Sequence, residues 1–319
     1  MEINWYPGHM AKAKRLLAQQ LSRVDVVIEL CDARLPHSSR NPDLIAMTGG
    51  KAHLLLLNKS DLAERNETTE WLRLFQNRGA VAKPFDAKAA KVKEAVGYIE
   101  QAAAAAVERA ALRGVRKTVR AMIIGVPNVG KSTFINRLHG GAITKVGDRP
   151  GVTRANQWVK ITPYLELLDT PGMLWPRLDD QNAARRLAYI GTIRDEIMDV
   201  QMLAVCLLDD LMTVRPDAVA ERFRVQDSSL RGVPLLEAVC KGRGFLMKGG
   251  VMDTDRGSAV VLDEFRSGKL GRITLEKAKD EKQAARRFTL GGSVRKGVEN
   301  SPEPMSPSEH SDTPGEFEE

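Results

Sequence analysis

Cysteine is scarce in this sequence. Cys31, Cys206 and Cys240 form no C-x-x-C pair and leave one thiol over in any disulfide scheme. That argues against a disulfide scaffold and a zinc ribbon, and fits a reducing compartment. Long apolar runs are missing as well. Runs such as those at 54–57 and 102–107 fall far short of the roughly 18 residues that signal a membrane span. Residues 1–10 contain no apolar stretch and carry Glu2, which argues against a secretory signal. A cytoplasmic protein with no membrane-spanning segment is expected. No repeat recurs at solenoid spacing.

Charge is present in excess and unevenly placed. The net charge is +7 over 319 residues. Residues 292–319 hold seven acids and two bases, so this stretch is −5 and the remainder is +12. A body that basic suits a polyanionic partner, either nucleic acid or an anionic membrane surface, or is simply a solvated surface. The length suggests two domains at roughly 100–200 residues each.

Apolar runs at 24–31, which is rich in β-branched residues, 52–57 and 119–125 read as buried strands, with two more at 157–161 and 164–168. Helices are expected before the first of them at 10–23, and between them at 70–78, at 92–115 and from Lys131 onward. This alternation predicts a mainly parallel sheet covered on both faces. Beyond 175 the pattern becomes helical, with expected segments at 180–211, 217–223, 234–242, 256–267 and 272–288. From 291 on, Ser, Pro, Gly and Glu predominate and little can be buried, so a disordered acidic tail is expected over 291–319. The expected organisation is therefore an α/β domain at 1–174, an all-helical domain at 175–290 and the tail.

Gly125–Ser132 reads GVPNVGKS, which satisfies G-x-x-x-x-G-K-[ST] between a strand and a helix. Such a loop turns its backbone N–H groups, here over Asn128, Val129, Gly130, Lys131, Ser132 and Thr133, toward phosphates. Lys131 is placed for the β and γ phosphates, and Ser132 for Mg²⁺. Downstream, Asp169–Gly172 reads DTPG after a strand. Asp169 suits a magnesium contact, and the Gly172 N–H suits the γ-phosphate. Between them, in PGVTR at 150–154, Thr153 is a candidate Mg²⁺ ligand. Asn58–Asp61 reads NKSD at a strand end. The Asp61 carboxylate can accept from both N1–H and N2–H₂ of guanine, a pair that adenine does not offer, so GTP and GDP are favoured over ATP. Asn58 can bridge base and phosphate loop, and the Lys59 stem can lie across the ring. Asp86, Ala87 and Lys88 (DAK) form a weaker base-contact candidate, through the N–H of Ala87 or Lys88.

The order of these motifs is reversed relative to an ordinary GTPase, since NKSD precedes GVPNVGKS, PGVT and DTPG. A circular permutation preserves the sheet, because strands meet in space whatever their order. With WYPGHM at 5–10, DAR at 32–34 followed by Pro36, and DTPGMLWP at 169–176, the sequence resembles the circularly permuted GTPases of the ribosome biogenesis GTPase A family over roughly 1–285. The resemblance implies a permuted P-loop GTPase domain, a helical RNA-binding domain, and action on the late large ribosomal subunit precursor and its rRNA. Contacts with ribosomal proteins and a monomeric state are further expectations. DAK and the long tail depart from the family pattern.

Met173 and Leu174 follow DTPG, where Ras-type enzymes carry a water-orienting Gln. The resemblance makes His9 the candidate for that role. It also makes Asn128 a candidate to help bind K⁺ beside the phosphates; the plainer alternative is a local backbone cap. Phe245, in GRGFLMKGG, is either a stacking platform for RNA or part of the core. Two other functions stay open at this level. One is an RNA-binding scaffold with structural GTP, and the other is a GTPase of a tRNA- or membrane-directed pathway.

Overall fold

The computed structural model describes residues 10–141, 157–170, 172, 174 and 180–282. The chain divides into two units, Met1–Ala278 and Lys279–Glu319. The candidates His9 and Thr153, the junction at 175–179 and the acidic tail lie outside the described residues.

Six strands form one sheet in the order β3-β2-β1-β4-β6-β5. They are β1 (Val26–Asp32), β2 (Ala52–Asn58), β3 (Val81–Pro84), β4 (Val119–Ile124), β5 (Gln157–Thr162) and β6 (Leu165–Asp169). All neighbours are parallel except β5, which pairs antiparallel with β6. Burial on both faces explains the continuous apolar runs. Leu54 and Leu56 of β2 join one core cluster, which includes Ile99 and Phe134. Leu55 and Leu57 join the other, with Trp71 and Phe75. That is the period-two alternation of a strand between two helical layers. Helices α4 (Val92–Ala111) and α5 (Lys131–His139) cover the first face, and α3 (Arg65–Asn77) covers the second. At the N-terminus α1 (Met10–Leu21) buries Leu17 and leaves Leu16 exposed.

Two short elements escape the sequence reading. Helix α2 (Pro42–Met47) is too short to show a period, although its start is signalled by the Asn41 cap and Pro42. Strand β3 is four residues at a sheet edge.

The helical segment differs from expectation in two places. The helix expected over 180–211 is broken into α6 (Gln181–Tyr189) and α7 (Val200–Val214). Gly191 turns the chain at φ +72°, and Asp199 caps α7 by accepting from the Met202 N–H. These are ordinary stop and start signals that override the helical propensity between them. Helices α8 (Pro216–Phe223), α9 (Gly232–Arg243) and α10 (Thr254–Ser267) complete the group, with α7 buried among its neighbours.

The helix expected over 272–288 is also corrected. Among the described residues of this stretch, 272–277 are not helical and 278–282 are. The reason is tertiary. Ile273 donates to the Leu62 carbonyl at 2.9 Å and Leu275 to the Arg34 carbonyl at 3.0 Å. Ile273, Leu275 and Ala278 are buried. The buried Glu276 carboxylate accepts from the His37 N–H at 2.7 Å and from the Ser38 N–H and hydroxyl. Trp71 Nε1 donates to the Glu276 carbonyl at 2.9 Å. This strap therefore runs back over the loops that follow β1 and β2.

Candidate nucleotide site

The loop after β4 has the backbone conformation that its glycines permit. Gly125 has φ +150°, and a Cβ there would sit 2.5 Å from the Leu30 carbonyl oxygen. Gly130 has φ +100°, and its missing Cβ leaves room for the Asn58 amide. Lys131 opens α5 and is 6% exposed. Its ammonium donates to the carbonyls of Gly125 at 3.0 Å and Val126 at 2.8 Å. Ser132 and Thr133 are half-buried beside it. The loop is curled around its own lysine, as a phosphate cradle requires.

Asp169 ends β6 near this lysine. Burial pushes its carboxyl up to about 6, against the pull of Lys131. Burial likewise brings the Lys131 ammonium down to about 8, with Asp169 opposing. Asp169 Oδ1 is buried and has no hydrogen-bond partner among the described residues. A buried, unsatisfied carboxylate oxygen is costly unless a ligand or cation uses it. A magnesium ion would use it. Mg²⁺ in nucleotide sites typically takes one or two protein oxygens and the phosphates, so Ser132 and Asp169 fit. Among the described residues no group of three His, Cys, Asp or Glu side chains gathers for a metal. Gly172 lies hard against the loop, where a Cβ would come within 2.8 Å of Pro127 Cα and 2.9 Å of the Lys131 ammonium.

NKSD reaches the same place from β2. Asn58 is buried, donates to the Val129 carbonyl at 2.6 Å and accepts from the Ala87 N–H at 2.9 Å. It ties the phosphate loop to the DAK loop. Lys59 adopts φ +56°, and its ammonium donates to the Asn128 carbonyl at 2.8 Å. Asp61 is exposed at the rim. In the DAK loop, Asp86 accepts from the Lys88 N–H at 2.8 Å. Both N–H groups of this loop are thus engaged within the protein, that of Ala87 by Asn58 and that of Lys88 by Asp86.

Gly191 and Thr192 carried no role in the sequence reading, yet both touch the phosphate loop. Asn128 has φ +63°, and its amide donates to the carbonyl of Gly191 at the end of α6. Thr192 donates to the Pro127 carbonyl at 3.1 Å. Nothing in the local pattern marks Gly191 or Thr192 as neighbours of the phosphate loop. Asp32, fully buried at the end of β1, ion-pairs with Lys59 at 3.1 Å. The DAR sequence was the available signal for it.

Comparison with known proteins agrees with this geometry. Residues 120–232 match the family described as 50S ribosome-binding GTPase. The chain is 44% identical over 278 residues to ribosome biogenesis GTPase A of Bacillus cereus, covering 86% of this chain and 94% of that one. It is 37% identical over 214 residues to mitochondrial ribosome-associated GTPase 1 of Bos taurus, with 64% of each chain covered. Among solved structures, the GNP-bound YlqF protein of Thermotoga maritima superposes with a TM-score of 0.59 at 26% identity, covering 84% of this chain and 98% of that one. The order of the motifs along the chain, the sheet that joins them and the extent of these matches lead to one assignment: the chain belongs to the ribosome biogenesis GTPase A family and is a P-loop GTPase.

Proposed function

We propose that this chain is a GTP-hydrolysing factor that acts late in maturation of the large ribosomal subunit, binding the precursor and its rRNA with GTP and leaving on hydrolysis. The observation that carries the proposal is the convergence of NKSD, GVPNVGKS and DTPG on one site in a chain so similar to ribosome biogenesis GTPase A. The protein acts as a monomer in the cytoplasm. Among the described residues no helix is long and apolar enough to cross a membrane.

In this reading Asp61 selects guanine, with Asn58, Lys59, Asp86, Ala87 and Lys88 framing the base. The N–H groups of Asn128, Val129, Gly130, Lys131, Ser132 and Thr133 surround the phosphates. The Lys131 ammonium offsets charge on the β and γ phosphates as the bridging bond breaks. The Gly172 N–H meets the γ-phosphate. Mg²⁺, held by Ser132 and Asp169 with Thr153, would stabilise the same charge. Asn128 serves a K⁺ ion, and His9 orients the water. Met173 and Leu174 offer no group that can do so.

The helical part, 175–290, is the proposed RNA-binding domain. Arg215, Arg222, Arg224, Lys241, Arg243 and Lys269 line one groove in it. Its charge suits a phosphate backbone. Phe245, by contrast, is 6% exposed and belongs to the core, under Arg243 and Arg256.

Sedimentation with immature large subunits tests the proposal. Co-migration is expected with a non-hydrolysable GTP analogue and not with GDP. Equal co-migration, or capture by liposomes instead, contradicts it. Binding should fall steeply with salt.

A further inference from the structure

Asp32 closes β1 directly opposite Asn58 in the parallel register, so it stands beside NKSD at the C-terminal ends of two interior strands. It is completely buried. Its Oδ1 accepts from the Arg34 N–H at 3.1 Å and from Arg34 Nε at 2.9 Å. Its Oδ2 accepts from Arg34 Nη2 at 2.8 Å and ion-pairs with the Lys59 ammonium at 3.1 Å. Arg34 is fixed in turn. Its Nη1 donates to the Phe265 carbonyl at 2.8 Å, and its guanidinium lies over the Phe265 ring at 4.9 Å. The carboxylate is thus held in place by a side chain that is itself anchored to α10.

A free lysine side chain samples many rotamers, and fixing it costs binding free energy at the moment of binding. Here the Lys59 ammonium is held between the Asp32 carboxylate and the Asn128 carbonyl of the phosphate loop. With its backbone and its ammonium both fixed, the side chain is held in one place before any ligand arrives. We propose that Asp32, braced by Arg34, is a positioning residue that presets Lys59 as one wall of the guanine pocket. The inference rests on NKSD being the guanine site. It makes guanine-nucleotide affinity depend on a residue outside the nucleotide motifs, acting through Lys59.

A double-mutant cycle read by binding of the fluorescent nucleotide mant-GDP tests this, with thermal unfolding as the control for folding. Asp32→Asn and Lys59→Ala are each expected to raise the dissociation constant about tenfold. Together they are expected to be no weaker than Lys59→Ala alone, because Asp32 acts through the side chain already removed. Additive effects, as a merely structural role would give, overturn the proposal. If Asp32→Asn does not fold, Asp32→Glu, which keeps the charge but shifts the carboxylate, serves in the same cycle with the same two outcomes. A Lys59→Ala variant with unchanged affinity overturns the guanine-site reading, and this inference with it.

Discussion

In the proposed reading, Asp169 is a side chain kept for a ligand. Its carboxyl is raised to about 6 by burial, and one of its oxygens has no partner among the described residues. Asp169→Asn should therefore leave the nucleotide-free protein at least as stable, by up to about 1–3 kcal/mol, while removing the dependence of GTP affinity on Mg²⁺. Calorimetric unfolding and nucleotide titration with and without EDTA check both halves. Glu29 behaves in the opposite way. Burial alone would raise its carboxyl, but His53 at 2.9 Å and Arg40 at 2.8 Å outweigh burial and hold it below its ordinary value. Its contribution to stability is complete above the ordinary Glu value of 4.5 and is lost as pH falls through the lower folded value. Glu29→Gln should flatten that acid limb in a plot of unfolding midpoint against pH. At this scale the sequence was legible wherever a motif carried the chemistry, as at Asn58, Lys131 and Asp169. It was not legible at Gly191, Thr192 or Glu276, whose roles depend on partners more than 60 residues away.

Among the elements, the strap at 272–277 has most influence on the site without contributing to it. Its basic, helix-compatible composition suggests a solvated helix. Contacts with Arg34, His37, Ser38, Leu62 and Trp71 outweigh that propensity. Tertiary burial of Ile273, Leu275 and Glu276 supplies more free energy than one more helical turn on the surface would. Glu276→Ala, which leaves the N–H groups of His37 and Ser38 without their acceptor, should cost about 2 kcal/mol of stability. Because the strap lies over the loops bearing Arg34 and Leu62, it should also weaken GDP binding; chemical denaturation and a GDP titration measure the two effects. The strands were legible because each is an apolar run with the period of a two-faced sheet. The break between α6 and α7 was hidden in an otherwise continuous helical pattern, although Gly191 and Asp199 mark it in retrospect.

Over the whole molecule, the permuted order of motifs sets the phosphate-binding motifs next to the helical part in the chain. DTPG, which meets the γ-phosphate in the proposed site, is the last GTPase motif before the helical part. Asn128 and Thr192 add a second connection between the phosphate loop and the end of α6. Asn128→Ala should bring hydrolysis in KCl down toward the rate in NaCl at equal ionic strength, if this side chain serves K⁺ as proposed. The charge map was visible from composition, but its meaning was not. Lys59 and Lys131 belong to the nucleotide site, whereas six cations of the helical part share one groove. In the proposed reading the basic excess serves two tasks, nucleotide binding and contact with rRNA. The most direct test of the account is multiple-turnover phosphate release from GTP, measured with and without large ribosomal subunits and against ATP. The account predicts release from GTP alone, stimulated at least about tenfold by the subunits. Unstimulated turnover, or equal use of ATP, would contradict it.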